Sequence, residues 1–203
     1  GIYSSWGLLT GIRPAKKVTE FFNEGLSYDD IKEKLTNFYL VSPKKADLAI
    51  EVSQNENNII KNNIDKNVSI YIGIPFCPTR CLYCSFTSYP INVFIDKIDS
   101  YINALIKEIK YAGKILSNKN IESIYIGGGT PTSINEYQLE KILYNIFENF
   151  NLNNTKEFTI EAGRPDTISI AKLKVLKKYN ISRISINPQT MNDKTLKLIG
   201  RDH

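Results

Sequence analysis

The sequence predicts an α/β fold built on a parallel sheet, and three observations carry that reading. Four short runs, Val68–Ile74, Ile121–Ile126, Glu157–Ala162 and Ser182–Ile186, have strand composition. The segments between them place apolar residues at steps of three and four, the spacing of one helix face. Each strand is followed by one such helix, the βα repeat that builds parallel sheets with right-handed crossovers. Four βα units fall short of a closed eight-unit barrel, so an open sheet or a partial barrel fits.

The first helix after the opening strand carries Ile98, Ile102, Leu105, Ile109, Ala112 and Leu116. The second carries Leu139, Leu143, Ile146 and Phe150 behind a capping box expected from Ser133 to Glu136. The third carries Leu173, Leu176 and Tyr179 and ends near Asn180; the fourth, Asp193–Ile199, stops at Gly200. Residues 1–66 differ and form a separate helical segment with a linker, ahead of a unit over 67–203. They open with an aromatic, glycine-bearing stretch that includes Tyr3, Trp6 and Gly7. Ser27 caps a helix over Tyr28–Phe38, and Pro43, after Ser42, starts the next at its first helical position. The Asn-rich stretch Asn55–Asn67 reads as the end of that helix and the linker.

Composition narrows the function classes. The chain has 203 residues, 42% hydrophobic and 23% charged, which suits a globular protein with a substantial core. The net charge of +5 is spread over helix faces rather than gathered into a stripe with aromatics, which argues against nucleic-acid binding. No apolar run approaches the roughly 20 residues of a membrane span, and no signal peptide is expected ahead of the fold. Free thiols place the protein in the reducing cytosol. Gly1 at the start and Met191 as the sole methionine predict a piece of a longer protein.

All three cysteines fall in eight residues, Cys77-Pro-Thr-Arg-Cys81-Leu-Tyr-Cys84, directly after the first strand. An odd number at such close spacing is not a disulfide framework. A Cys3His zinc site would need His203, the one histidine, at the end of the chain. Soft thiolates suit zinc or iron–sulfur chemistry, and inert buried cysteines are the remaining reading. A C-x3-C-x2-C loop can wrap three thiolates around one face of an iron–sulfur cluster. Electron-carrier cubanes use four cysteines, so three leave one iron open.

Loops leaving the C-terminal ends of parallel strands build active sites, so four features should meet on one rim. The first is the cysteine loop. Gly127-Gly-Gly-Thr-Pro131 follows the second strand, Glu161 ends the third, and Asn187 and Gln189 follow the fourth. The glycines let a ligand approach the backbone, and Thr130 adds a hydroxyl. Glu161 can accept from ribose hydroxyls or an ammonium, or form a rim ion pair with Arg164 or Arg183. Gln189 and Arg201 pose the same choice; Arg201 suits a carboxylate, though near a fraying end. Tyr71 and Tyr83 pack against a ligand or fill core.

The run Tyr71-Ile-Gly-Ile-Pro-Phe-Cys77 through Cys84, with Gly127-Gly-Gly-Thr-Pro131, the Glu161 strand and Arg183-Ile-Ser-Ile-Asn-Pro-Gln189, resembles the radical S-adenosylmethionine superfamily. Within it, the chain resembles the oxygen-independent coproporphyrinogen III oxidase (coproporphyrinogen dehydrogenase) family, over roughly 68–203. Residues 1–66, with Trp6-Gly-Leu-Leu-Thr-Gly-Ile-Arg-Pro14, are similar to the N-terminal region of one bacterial branch.

The resemblance implies a partial barrel of that superfamily's type, with its later strands outside this chain. It implies a 4Fe–4S cluster on Cys77, Cys81 and Cys84, and it assigns these cysteines and Tyr71 to the catalytic centre. Tyr71, Gly128 and Glu161 match contacts to S-adenosylmethionine. Tyr83, Gly129, Thr130, Gln189 and Arg201 match contacts to a second such molecule. The implied reaction starts with an electron from a reduced flavodoxin or ferredoxin-type donor. A 5′-deoxyadenosyl radical then takes hydrogen from a propionate of coproporphyrinogen III, and loss of CO2 and one electron leaves a vinyl group. Two rounds give protoporphyrinogen IX. Two departures stand out: Gly73 occupies a position where the typical oxidase has histidine, and Glu161-Ala-Gly-Arg-Pro165 differs from the usual run. Some relatives with this loop resemble haem chaperones, and another radical reaction on a tetrapyrrole is a further alternative.

Overall fold

The computed structural model describes residues 4–60 and 67–201. Tyr3, His203 and the 61–66 part of the expected linker lie outside the described residues. The chain divides into two compact units, Gly1–Asp65 and Lys66–His203.

The first unit is helical. It contains α1 (Pro14–Asn23), α2 (Tyr28–Glu33) and α3 (Pro43–Ile60), with a π-helical turn at Lys34–Phe38. Sequence reading missed α1, although Pro14 at its start and buried Val18 and Phe21 three apart mark it. Ser27 caps α2 as expected, accepting from the Asp30 amide while Asp30 returns a bond to the Ser27 amide. The expected helix to Phe38 instead widens after Glu33 into the π turn, which ends before Leu40 at φ +55°. Val18, Phe21, Ile31, Leu35, Ala46 and Ile50 form the core of this unit.

The second unit holds the functional rim. Its elements run β1 (Asn67–Ile74), β2 (Phe76–Cys77), β3 (Tyr89–Pro90), α4 (Ile98–Ile115), β4 (Asn120–Gly128), α5 (Glu136–Asn149), β5 (Glu157–Glu161), α6 (Ile170–Lys178), β6 (Arg183–Ser185) and α7 (Asp193–Leu198). The main sheet has the order β1-β4-β5-β6, all parallel. Each β-to-β connection passes through one helix, so strand order follows chain order, as expected of a βα repeat.

Alternation along the strands decides what faces where. Ile72, Ile74, Ile124, Ile126, Phe158 and Ile160 are buried against the apolar faces of α4 and α5. The other face carries Ser69, Tyr71, Tyr125, Glu157, Glu161 and Arg183. It is held by polar contacts: Ser123 to Ser69 at 2.8 Å, Arg183 to Glu157 at 2.8 Å, Arg183 to Thr159 at 3.1 Å. An ordinary parallel sheet is apolar on both faces; the polar face here supplies Tyr71 and Glu161 to the cavity described below.

The helix after β4 begins two residues later than expected. Asn135 caps α5 and forms the box with Gln138, at 2.9 and 3.1 Å. Pro131–Ser133 forms a 3-10 turn first, and the Ser133 hydroxyl donates instead to the Phe76 carbonyl at 3.0 Å. Among the described residues no helix is long and apolar enough to cross a membrane.

Candidate active site

The cysteine loop is closed at its base by a feature the sequence did not reveal. Phe76 and Cys77 pair with Tyr89 and Pro90 as a two-residue ribbon. The Tyr89 amide donates to Pro75 O at 2.7 Å and the Ile91 amide to Cys77 O at 2.8 Å. The loop from Cys77 to Ser88 is thus anchored at both ends. At its tip the Leu82 amide donates to Ile199 O at 3.1 Å, which ties the loop to the end of α7.

The glycine run packs directly beneath it. The amides of Gly129 and Thr130 donate to Ile74 O and Phe76 O, both at 2.8 Å. A Cβ on Gly129 would stand 2.7 Å from Phe76 O and 3.1 Å from Cys77 Sγ, so only hydrogen fits there. Thr130 is buried, with Oγ1 3.2 Å from Cys77 Sγ. Burial pushes the Cys77 thiol up, and the Thr130 contact opposes that shift. In the cluster-free protein Cys77 should therefore be the last of the three cysteines to react with iodoacetamide at pH 8. Peptide mass mapping reads the order, and early modification of Cys77 would contradict its placement.

These loops enclose a cavity of about 240 Å³. Every candidate taken from the sequence lines it: Tyr71 on β1, Cys77, Cys81, Tyr83 and Cys84 on the loop after it, Gly128, Gly129 and Thr130 on the second, then Glu161, Gln189 and Arg201. Also on its wall are Thr79, Phe86, Ser88, Gly163, Arg164 and Asn187. Thr79, Phe86, Ser88 and Gly163 had no distinguishing sequence signal.

Glu161 forms neither of the ion pairs suggested for it. Arg164 pairs with Asp166 at 3.0 Å and Arg183 with Glu157 at 2.8 Å. Instead Glu161 Oε1 accepts from the Tyr125 hydroxyl at 2.5 Å. A Cβ at Gly127 would come within 3.1 Å of both Glu161 Oε2 and the Tyr71 hydroxyl, so the missing side chain leaves room beside two polar atoms. Tyr71 stacks on Tyr125 at 5.9 Å with an 11° interplanar angle, and it is 64% exposed rather than core filling.

The Glu161 bond, with burial, holds the Tyr125 phenol pushed up to about 12 from its ordinary 10.0. A phenol whose folded value is raised adds stability that is complete below pH 10.0 and is lost as pH rises through about 12. The stability gap between the parent and Tyr125→Phe should therefore shrink across that window in urea unfolding. A gap that does not change with pH would contradict the bond.

Arg201 is not frayed: it is 4% exposed. Nη2 donates to Gly163 O at 2.7 Å and Asn187 O at 2.8 Å, and Nη1 to the Tyr83 hydroxyl at 3.2 Å. Its Nε is buried and has no hydrogen-bond partner among the described residues. Gln189 holds φ +67°, a left-handed conformation that a non-glycine residue rarely adopts and that clusters at functional sites.

A sequence model of the Radical SAM superfamily matches residues 71–203. The chain belongs to the radical SAM superfamily. Across its whole length this radical SAM chain is 41% identical to an oxygen-independent coproporphyrinogen-III oxidase-like protein, HemZ, of Bacillus subtilis, covering 42% of that protein. It is 40% identical to the Heme chaperone HemW of the same organism, over 66% of this chain and 35% of that one. Among solved structures it is similar to the coproporphyrinogen III oxidase HemN of Escherichia coli, described as a radical SAM enzyme. The TM-score there is 0.61 with 27% identity, over 74% of this chain and 34% of that chain. The chain thus spans less than half the length of these relatives.

Radical SAM proteins in general use a 4Fe–4S cluster and S-adenosylmethionine, and the residues present fit both. Three soft ligands line one cavity with no other cysteine in the chain, and glycine keeps the space beside Cys77 open. Among the described residues no three His, Cys, Asp or Glu side chains converge on a single ion. A cubane does not require that, because each thiolate meets its own iron.

Proposed function

We propose that this protein holds a 4Fe–4S cluster on Cys77, Cys81 and Cys84 and S-adenosylmethionine beside it. We further propose that it oxidatively decarboxylates coproporphyrinogen III to protoporphyrinogen IX. The observation that carries the reading is the single cavity shared by the cysteine loop, the glycine run, Glu161, Gln189 and Arg201. When bound, the two groups together supply a one-electron cleavage of the sulfonium bond that yields a 5′-deoxyadenosyl radical.

The protein's own contribution is binding, orientation and exclusion of water. Cys77 enters from a paired strand and is fixed by its backbone, whereas Cys81 and Cys84 sit on the loop. Gly128 and Gly129 bring bare backbone to the cavity wall. Glu161 is locked by Tyr125 at one oxygen and keeps the other for a ligand hydroxyl or ammonium. Arg201 places a positive charge on the cavity wall toward an anionic group, and Tyr71 presents an exposed ring to an adenine or tetrapyrrole face. Thr130, Tyr83 and Gln189 complete the wall, where a second S-adenosylmethionine is the occupant that the resemblance supports. A reduced flavodoxin or ferredoxin-type protein is the proposed electron donor.

Similarity to a haem chaperone favours a second reading, stoichiometric haem carriage. The full encoded chain, reconstituted anaerobically and reduced, should convert coproporphyrinogen III to protoporphyrinogen IX in the presence of S-adenosylmethionine. Tight one-to-one haem binding without decarboxylation would replace the oxidase reading with the carrier.

A further inference from the structure

Arg164 is the least explained group on the cavity wall. It is 3% exposed, and its guanidinium is asymmetrically placed. Nε and Nη2 fork onto the two oxygens of Asp166, both at 3.0 Å, and the Asp166 side chain is 27% exposed. Nη1 donates at 2.9 Å to the hydroxyl of Thr79, between Cys77 and Cys81 on the cysteine loop. The positive group is therefore buried at the cavity, and its counter-charge faces water, where it is screened.

The backbone carrying Arg164 is held firmly. Thr167 donates to Arg164 O through its hydroxyl at 2.6 Å and its amide at 3.0 Å. That hydroxyl lies 2.6 Å from the Thr132 hydroxyl. Lys172 Nζ donates to Thr132 O at 2.6 Å and Thr167 O at 2.9 Å. The loops after β1, β4 and β5 are thus joined through one polar network with Arg164 at its end. Burying a charge costs stability, and an apolar side chain would fill the same space more cheaply.

We propose that Arg164 is a positioning residue that clamps the cysteine loop through Thr79 and holds a fixed positive charge against the iron–sulfur group on that loop. The inference rests on the cluster reading above. Charge and hydrogen bonding around a cluster set its reduction potential. A reduced cluster carries one more negative charge than the oxidised one, so a fixed cation favours reduction.

The test is an EPR-monitored redox titration of the anaerobically reconstituted full chain, with iron release to a chelator measured in parallel. Arg164→Gln should lower the reduction equilibrium about tenfold, a shift of about 59 mV to more negative potential for one electron. Asp166→Asn removes only the outward counter-charge, so it should shift the potential the opposite way. Disturbed packing alone would not give opposite signs. Thr79→Val should speed iron release and leave the potential in place. A cluster-bearing Arg164→Gln protein with unchanged potential overturns the inference while the cluster reading stands. If Arg164→Gln does not assemble a cluster, Asp166→Asn decides: a potential that fails to rise overturns the inference. A parent protein that takes up no iron overturns both.

Discussion

Cys81→Ser is expected to abolish cluster assembly while leaving the fold in place. Cys81 lies on the loop rather than in the Phe76–Cys77 ribbon, and its side chain is half-buried. A serine there changes little packing, so folding stability should move by no more than roughly 0.5 kcal/mol. The chemistry changes completely, because a hydroxyl at neutral pH is neither a soft donor nor an anion. Iron and sulfide content after anaerobic reconstitution reads the first effect, and urea unfolding reads the second. Cys77→Ser should show both losses, since Cys77 is buried against Thr130 and the glycine run. Full iron content in Cys81→Ser would contradict the assignment of the three ligands.

Alanine at Gly128 or Gly129 should cost roughly 1–3 kcal/mol each, by overpacking and backbone strain. Gly128 holds φ +111°, and its Cβ would stand 3.0 Å from Ile74 O and 3.1 Å from Ile74 N, which are backbone atoms of the central sheet. At Gly129 the obstacles are Phe76 O and the Cys77 sulfur. The second substitution should therefore displace a cluster ligand and reduce iron uptake as well as stability. Gly73→Ala is the internal control: its nearest neighbour would be a Tyr71 ring carbon at 3.9 Å, an ordinary contact. Equal tolerance of alanine at all three positions in urea unfolding would show that the run is a simple turn rather than a packed seat.

Much of this architecture was legible because the signals were periodic or clustered. Isoleucines at alternate positions of β1 (Ile70, Ile72, Ile74) and at Ile124 and Ile126 of β4, with three-and-four spacing in α4, fix which faces meet. The cysteine loop, glycine run, Glu161 and Gln189 were placed on one rim by the rule that parallel strands present their C-terminal loops together. Arg201 shows where the rule of fraying ends fails. Its position as the last described residue says nothing of the two carbonyls and the phenol that it binds. The Ser133 cap failed for a related reason: a distant carbonyl, Phe76 O, competes for its hydroxyl. Tyr125 was missed because its role depends on register. Tyr125 pairs with Thr159, and only the next outward residue on that strand face is Glu161. Arg164 looked like a rim partner for Glu161, yet Asp166, two residues on, takes both of its forked donors.

The most direct test of the central claim is whether cluster and S-adenosylmethionine react together in this cavity. The full encoded chain would be reconstituted anaerobically, reduced with dithionite and supplied with S-adenosylmethionine, beside Cys81→Ser treated identically. The account predicts 5′-deoxyadenosine and methionine in equal amounts from the parent and neither from the variant. A parent protein with full iron content that forms no 5′-deoxyadenosine would contradict it.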